Sequence, residues 1–222
     1  MIVNFDTRLS DLPFVHAIYQ AGSIGGGSFI SNATTQWEMV ITKQAGKIIL
    51  SLRGPETKAL PAPIPEDADF LGIIFRHGTF MPRLPGNKLV DEEIHLSETG
   101  KDSFQLFGET WQFPTFENVD TFVGRLIRKE LVAHDQVVDD VLRGRTQDLS
   151  LRSIQRRFLY VTGLTYKAIQ QVERARKAVE LLQSGVPILD TTYQTGYFDQ
   201  AHLTRSLKLL YGQTPGEIVK PG

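Results

Sequence analysis

With 222 residues, 41% of them apolar, the chain has room for one large domain or two small ones, each able to bury its own core. It contains no cysteine, which excludes a disulfide framework and a thiolate-held metal and fits a reducing cytosol. The formal net charge of −1 conceals an asymmetry, since residues 1–124 carry 9 Lys/Arg against 15 Asp/Glu and residues 125–222 carry 15 against 10, a modest basic excess of the kind that phosphate neutralisation requires.

The start, Met1-Ile-Val-Asn-Phe-Asp6, has no basic segment or apolar run, and no later stretch is long enough to span a bilayer, so a cytoplasmic protein without membrane contact is expected. Pro13, Tyr19, Gly22 and the run Gly25-Gly-Gly27 dictate no firm structure for the first thirty residues or so. No Lys-Ser/Thr follows the glycines and no helix clearly begins there, so the run reads as a hairpin or loop rather than a phosphate cradle. From Trp37 the pattern is strand-like. Trp37-Glu-Met-Val-Ile-Thr42 and Lys47-Ile-Ile-Leu-Ser-Leu52 are short and rich in branched residues, and Gln44-Ala-Gly46 joins them as a hairpin. Further strands are expected at Phe70–Phe75, Lys88–Leu96 and Phe104–Phe107, with prolines 61, 63, 65, 82 and 85 punctuating the loops. The sum is a β-rich domain over residues 1–113, a small barrel or sandwich.

Three histidines of this domain, His16, His77 and His95, invite a metal reading, because imidazoles are common ligands. No two have a spacing that sets them side by side on a strand, and no metal is expected. Phe75-Arg-His-Gly-Thr-Phe-Met-Pro82 is the candidate effector pocket: Phe75, Phe80 and Met81 supply apolar walls, and Arg76 a fork of donors for an anion. The alternative is a strand leaving its sheet through a glycine turn, with the aromatics in the core. Asp91-Glu-Glu93 suits a basic partner or a solvated edge.

From Pro114 the period changes to that of a helix. Asn118 or Asp120 can cap it, Val119, Phe122, Val123, Leu126 and Ile127 recur at three and four, and Arg125, Arg128 and Lys129 lie opposite. This connecting helix falls in residues 114–134. The remainder, 135–222, reads as all α, making the fold class α+β. Asp135–Leu142 is a scaffold helix. In Leu149–Phe158, Ser150 is the N-cap, Ile154 and Phe158 share the buried side, and Arg152, Gln155 and Arg156 point elsewhere with donors suited to guanine and adenine edges. Thr162-Gly163 closes that helix. Thr165–Gln183 is long, with Ile169, Val172, Val179 and Leu182 in one stripe, and Ser184-Gly185 ends it before Pro187. Ile188–Tyr211 has the layout of a second helix-turn-helix: a short helix, Gly196, a turn, and an Asp199-capped helix with Leu203, Leu207 and Leu210 buried and Gln200, Ala201, Thr204, Arg205 and Lys208 open. Gly212-Gln-Thr-Pro215 breaks it.

The run from Ser150 to Ile218 resembles the DNA-binding domain of the AraC/XylS family of bacterial transcription regulators. The matching residues are Ser150, Arg152, Ile154, Gln155, Arg156, Phe158 and Thr162-Gly163, then Arg174-Ala175, Ala178 and Leu181-Leu182. They continue with Gly196-Tyr197, Asp199-Gln200, His202-Leu203, Arg205, Leu207-Lys208, Gly212 and Thr214-Pro215. So many positions in one order make a far more specific signal than a lone helix-turn-helix. The likeness covers roughly a third of the chain, and the part before Gln112 matches no ligand-binding module. The chain departs from the family where a small alanine-like residue and a glycine turn usually precede the capping serine. It has Arg143-Gly-Arg-Thr-Gln-Asp148 instead, which points to a looser or differently angled first unit.

The resemblance implies a sequence-specific activator or repressor with two helix-turn-helix units joined by a long helix. Arg152, Gln155 and Arg156 from the first unit, and Gln200, Ala201, Thr204 and Arg205 from the second, would meet bases or backbone. Lys167 and Lys208 would meet phosphates, while Arg157 and His202 serve equally well inside the protein. The implied partners are double-stranded DNA, a small-molecule effector or a regulatory protein, RNA polymerase, and a second copy of the chain. For the connecting helix the family suggests dimerisation or interdomain contact, and packing on the β domain explains its stripe equally well. No cofactor or catalytic residue is expected. A small β-barrel isomerase or hydrolase with a helical appendage is the competing class, and there is no nucleophile elbow, clustered His and carboxylate set, or Gly-Lys-Ser/Thr loop to support it.

Overall fold

Branched and aromatic residues at alternate positions make the N-terminal half almost entirely strand, as a computed structural model describing residues 1–96, 98–100, 102–145 and 148–219 shows. The strands are β1 (Ile2–Arg8), β2 (Val15–Ser23), β3 (Gly27–Ser31), β4 (Glu38–Gln44), β5 (Lys47–Arg53), β6 (Leu60–Ile64) and β7 (Ala68–Phe75). They continue with β8 (Thr79–Phe80), β9 (Glu93–Leu96), β10 (Glu98–Gly100), β11 (Ser103–Leu106), β12 (Glu109–Gln112) and β13 (Ala133–His134). The helices are α1 (Val119–Arg128), α2 (Gln136–Leu142), α3 (Leu151–Val161), α4 (Tyr166–Gln183), α5 (Ile188–Gln194), α6 (Gln200–Tyr211) and α7 (Pro215–Val219).

An antiparallel sheet in the order β1-β2-β7-β4-β5-β9 carries the N-terminal core. Residues facing each other across its register point to one side, so Ile18, Ile73, Met39 and Leu52 line up on the inner face, each almost fully buried. The β4–β5 hairpin turns at Ala45 and Gly46, both left-handed (φ 48° and 77°), the two-residue turn that matches strand twist. Helix α1 lays Val119, Phe122, Val123 and Leu126 on this core, so its stripe is used for packing on the β domain. Asn118 stands at the N-cap position, yet its side chain accepts from Thr115 N at 2.9 Å and does not cap the helix. Asp120 instead pairs with Arg8 at 2.7 Å and accepts from Ser10.

Two expectations change here. The unassigned N-terminal stretch forms β1, β2 and β3. The strand expected at Lys88–Leu96 shrinks to β9, because Gly86–Lys88 is a 3-10 turn and Asp91 adopts a left-handed φ of 56°, which breaks an extended run.

The C-terminal half follows its capping signals. Asp135 accepts from Val138 N at 3.2 Å, Ser150 from Ser153 N at 3.2 Å, Thr165 from Ala168 N at 3.1 Å and Asp199 from His202 N at 2.6 Å, opening α2, α3, α4 and α6. Helix α4 spans two cores. Its Ile169 joins Val138, Phe158, Val161 and Leu164, while its Val172, Ala175, Ala178, Val179 and Leu182 join Tyr197, Leu203, Leu207 and Leu210. Among the described residues no helix is long and apolar enough to cross a membrane.

Candidate nucleic-acid interface

The two helix-turn-helix units, α2–α3 and α5–α6, are built alike, and the likeness extends to single residues at one constant offset in the sequence. The caps Ser150 and Asp199 correspond, as do the inward Ile154 and Leu203, Phe158 and Leu207, and Val161 and Leu210. Both helices finish on a left-handed glycine, Gly163 (φ 75°) and Gly212 (φ 68°). On the outward face Arg156 corresponds to Arg205, Gln155 to Thr204 and Arg152 to Ala201. A helix whose buried stripe is set by every third or fourth residue must present the intervening ones, so both units show the same outward positions.

Arg152, Gln155, Arg156, Gln200, Ala201 and Arg205 are exposed, and no ion pair holds Arg152, Arg156 or Arg205 among the described residues. Thr204 is half-buried, its hydroxyl donating to Gln200 O at 2.8 Å, which leaves its lone pairs and methyl group outward. Lys167 is exposed, and Lys208 lies 3.9 Å from Glu217. Two residues have partners inside the protein: Arg157 pairs with Asp135 at 2.6 Å, and His202 meets the Tyr197 ring edge-on at 5.1 Å. Tyr197 in turn bonds Ser206 at 2.8 Å and lies under the Arg174 guanidinium at 5.6 Å, and burial raises its phenol pKa. That cluster braces the turn before α6. The departure segment 143–148 leaves Ser150 with its cap, and Thr146 and Gln147 lie outside the described residues.

Sequence reasoning passed over Leu151 and Phe198, which flank the start of each outward helix and are 78% and 89% exposed. Leu151 falls three residues before Ile154 and seven before Phe158, on the spacing of the buried stripe, so periodicity alone assigns it inward and its exposure at the first turn of α3 has no sequence signal. Phe198 had none either, since it precedes its helix.

The residues expected to form an effector pocket divide between the β core and one small gap beside α3. Phe75 stacks on Trp37 in the β core, with ring centroids 3.9 Å apart and planes 5° apart. Phe80 packs edge-on against Tyr160 of α3, and the gap that Phe80 and Met81 line has a volume of only about 10 Å³, enough for a water molecule. Arg76 lines that gap as well and also faces a second cleft of about 330 Å³ between the two halves of the molecule. His16, Gln36 and His77 line it with Arg76 from the β domain, and Asp139 of α2, Arg143 just after it and Glu173 of α4 face them. Arg143 is tied to Asp139 at 2.9 Å and Glu173 to Arg176 at 2.9 Å, whereas among the described residues Arg76 bonds only through Nε, donating to Val15 O at 2.8 Å.

Thr35 Oγ1 donates to Glu173 Oε1 at 3.3 Å and therefore accepts from His77 Nε2 at 2.7 Å, which makes the ring the Nε2–H tautomer, with the lone pair on Nδ1. Burial pushes the His77 pKa down. His16 and His77, far apart in sequence, thus meet in one cleft. Among the described residues no group of three or more His, Asp or Glu is arranged to hold a metal ion. Another cleft, of about 430 Å³, lies between Gln20, Lys43 and Asp69 of the sheet and the segment 114–117.

A family model described as a helix-turn-helix domain matches residues 145–220. No curated protein sequence matches the chain. Among solved structures it is similar to ToxT from Vibrio cholerae, over 97% of both chains at 10% identity and a TM-score of 0.43. ToxT bound to (E)-4-(8-methylnaphthalen-1-yl)but-3-enoic acid aligns over 97% of this chain and 98% of that one, at 11% identity and a TM-score of 0.41. Wild-type ToxT from the same species with an unsaturated fatty acid bound aligns over 97% and 94%, at 9% identity and a TM-score of 0.40.

Proposed function

We propose that the protein is an AraC-type, sequence-specific transcription regulator that reads two successive major-groove segments and answers to a small effector, a reading supported by the helix-turn-helix domain matched at residues 145–220. The observation that carries this reading is the pairing of Arg156 with Arg205. Two guanidinium groups sit at equivalent places on equivalent helices, exposed and unpaired among the described residues, each with the fork that suits guanine O6 and N7. Arg152, Gln155, Gln200, Ala201 and Thr204 flank them for further base or backbone contact, with the methyl groups of Ala201 and Thr204 suited to thymine. Phe198 and Leu151 extend that apolar contact. Lys167 and Lys208 meet phosphates and position the protein without reading sequence. The 18 residues of α4 span about 27 Å, which supports reading segments about one turn, roughly 34 Å, apart. Methylation protection on a bound duplex tests the assignment: guanine N7 should be shielded in two blocks one turn apart, and a single shielded block would leave one helix without a role.

For the effector, the Arg76 side of the interdomain cleft is the site. Its donors, the terminal guanidinium nitrogens of Arg76 and the imidazole of His16, favour a small anion, and such a ligand would touch both halves at once. A thermal-shift panel of small carboxylates and inorganic phosphate checks this. Arg76→Ala should abolish the response and Lys43→Ala, in the separate cleft, should leave it intact; the reverse pattern would move the site.

A further inference from the structure

The β domain touches the two reading helices at equivalent points. At the end of α3 the 3-10 turn Gly86–Lys88 comes so close that a Cβ on Gly86 would stand 2.6 Å from Gly163 N and 2.7 Å from Val161 O. Only glycine allows that approach. At the end of α6, Ala33 N donates to Leu210 O and Ala59 N to Leu209 O, both at 2.8 Å. The last carbonyls of a helix lack partners within it, and here the neighbouring domain supplies two. Ile30 closes over Gly212, where an added Cβ would lie 2.9 Å from its Cγ2. Both left-handed glycine ends are therefore gripped.

The two grips are joined by a short hydrogen-bonded strut. Asp91 N donates to Pro55 O at 2.9 Å, and the Asp91 carboxylate accepts from Thr57 N and Thr57 Oγ1, both at 2.7 Å. Gly54 N donates to Glu92 O at 3.1 Å, packed so tightly on Leu89 that a Cβ would fall 1.7 Å from its carbonyl oxygen. Beyond Pro55, Thr34 N donates to Glu56 O at 3.0 Å and Ser31 Oγ to Glu56 Oε2 at 2.6 Å, which leads to Ala33 and the end of α6. The left-handed φ of Asp91 bends the chain so that its carboxylate faces Thr57.

We propose that the β domain acts as a calliper that sets the spacing between the two DNA blocks the protein reads, with Asp91 and Thr57 as the positioning residues of its strut. This rests on the two-block reading above. Helix α4 joins the two units on one side and the strut joins them on the other, so two connections rather than one fix their separation. One inserted base pair displaces a block by about 3.4 Å and turns it by about 34°, more than a doubly tied pair of helices can follow.

The test uses the full chain and the duplex it retains best from a randomised pool, with its two blocks respaced by one or two base pairs in either direction. Wild-type protein should prefer one spacing by about tenfold or more. Asp91→Ala should flatten that preference while leaving affinity for a duplex with a single block unchanged. Asp91→Asn, which keeps an acceptor for Thr57 and tolerates the left-handed backbone, should restore it, and circular dichroism checks that both variants fold. An unchanged spacing profile in Asp91→Ala would overturn the calliper and leave α4 alone in charge of spacing. A profile flattened equally by Asp91→Asn would overturn the role of the Asp91–Thr57 bonds. A wild type that retains no two-block site at all would remove the two-block reading, and the calliper with it.

Discussion

Replacing Arg205 by alanine is the sharpest perturbation of the DNA interface. Its guanidinium is exposed and without an ion pair among the described residues, so the free protein loses no partner and stability should change by less than about 0.5 kcal/mol. If the fork bonds a guanine edge, its loss costs about 1–3 kcal/mol on the specific site, or roughly 5- to 150-fold in Kd. A random duplex offers no matched guanine, so affinity there should fall far less, and the specificity ratio collapses by most of that factor. Preference should relax at one or two base pairs, within the block that α6 covers. Fluorescence anisotropy on the selected and a scrambled duplex, at two salt concentrations, measures both numbers. Equal losses on the two duplexes would refute the base-reading role and reduce Arg205 to a phosphate contact.

Lys208→Ala should weaken all sequences alike and lower the slope of log affinity against log salt by about 0.9, whereas a sequence-selective loss would make Lys208 a reader. Phe158 is fully buried in the core of the first unit, so Phe158→Ala should cost about 3–5 kcal/mol of stability in urea melts, and a loss under 1 kcal/mol would contradict that packing. The depressed His77 pKa carries a sign. The unfolded chain takes up a proton near pH 6.5 while the folded chain still excludes it, so stability falls as pH drops from about 6.5 towards the folded value. Melting temperature should therefore drop on acidification through this window, less steeply in His77→Gln, and identical slopes would remove His77 from the account.

Local signals were the legible ones. Ser150 and Asp199 announce their helices because a cap is an interaction across three residues, and Gly163 and Gly212 mark ends because a left-handed residue favours glycine. Asn118 looked equally suitable and bonds Thr115 instead, since a side chain at that position chooses between its own helix and the turn before it. The strands β1 to β3 escaped notice because β1 and β3 are largely exposed, while β2, paired on both edges and mostly buried, lacks the alternation that marks a half-buried strand. Asp91 read as part of an acidic edge, and its carboxylate bonds Thr57 across 34 residues. Such pairings, like the meeting of His16 with His77, depend on how the sheet folds over and leave no trace in spacing.

The most direct measurement is selection of the purified full chain against a randomised duplex pool at two salt concentrations, followed by sequencing of what is retained. Two short enriched blocks about one helical turn apart, holding at both salts, are the expected result. Retention that is weak, independent of sequence and lost at the higher salt would contradict the claim that α3 and α6 read DNA together.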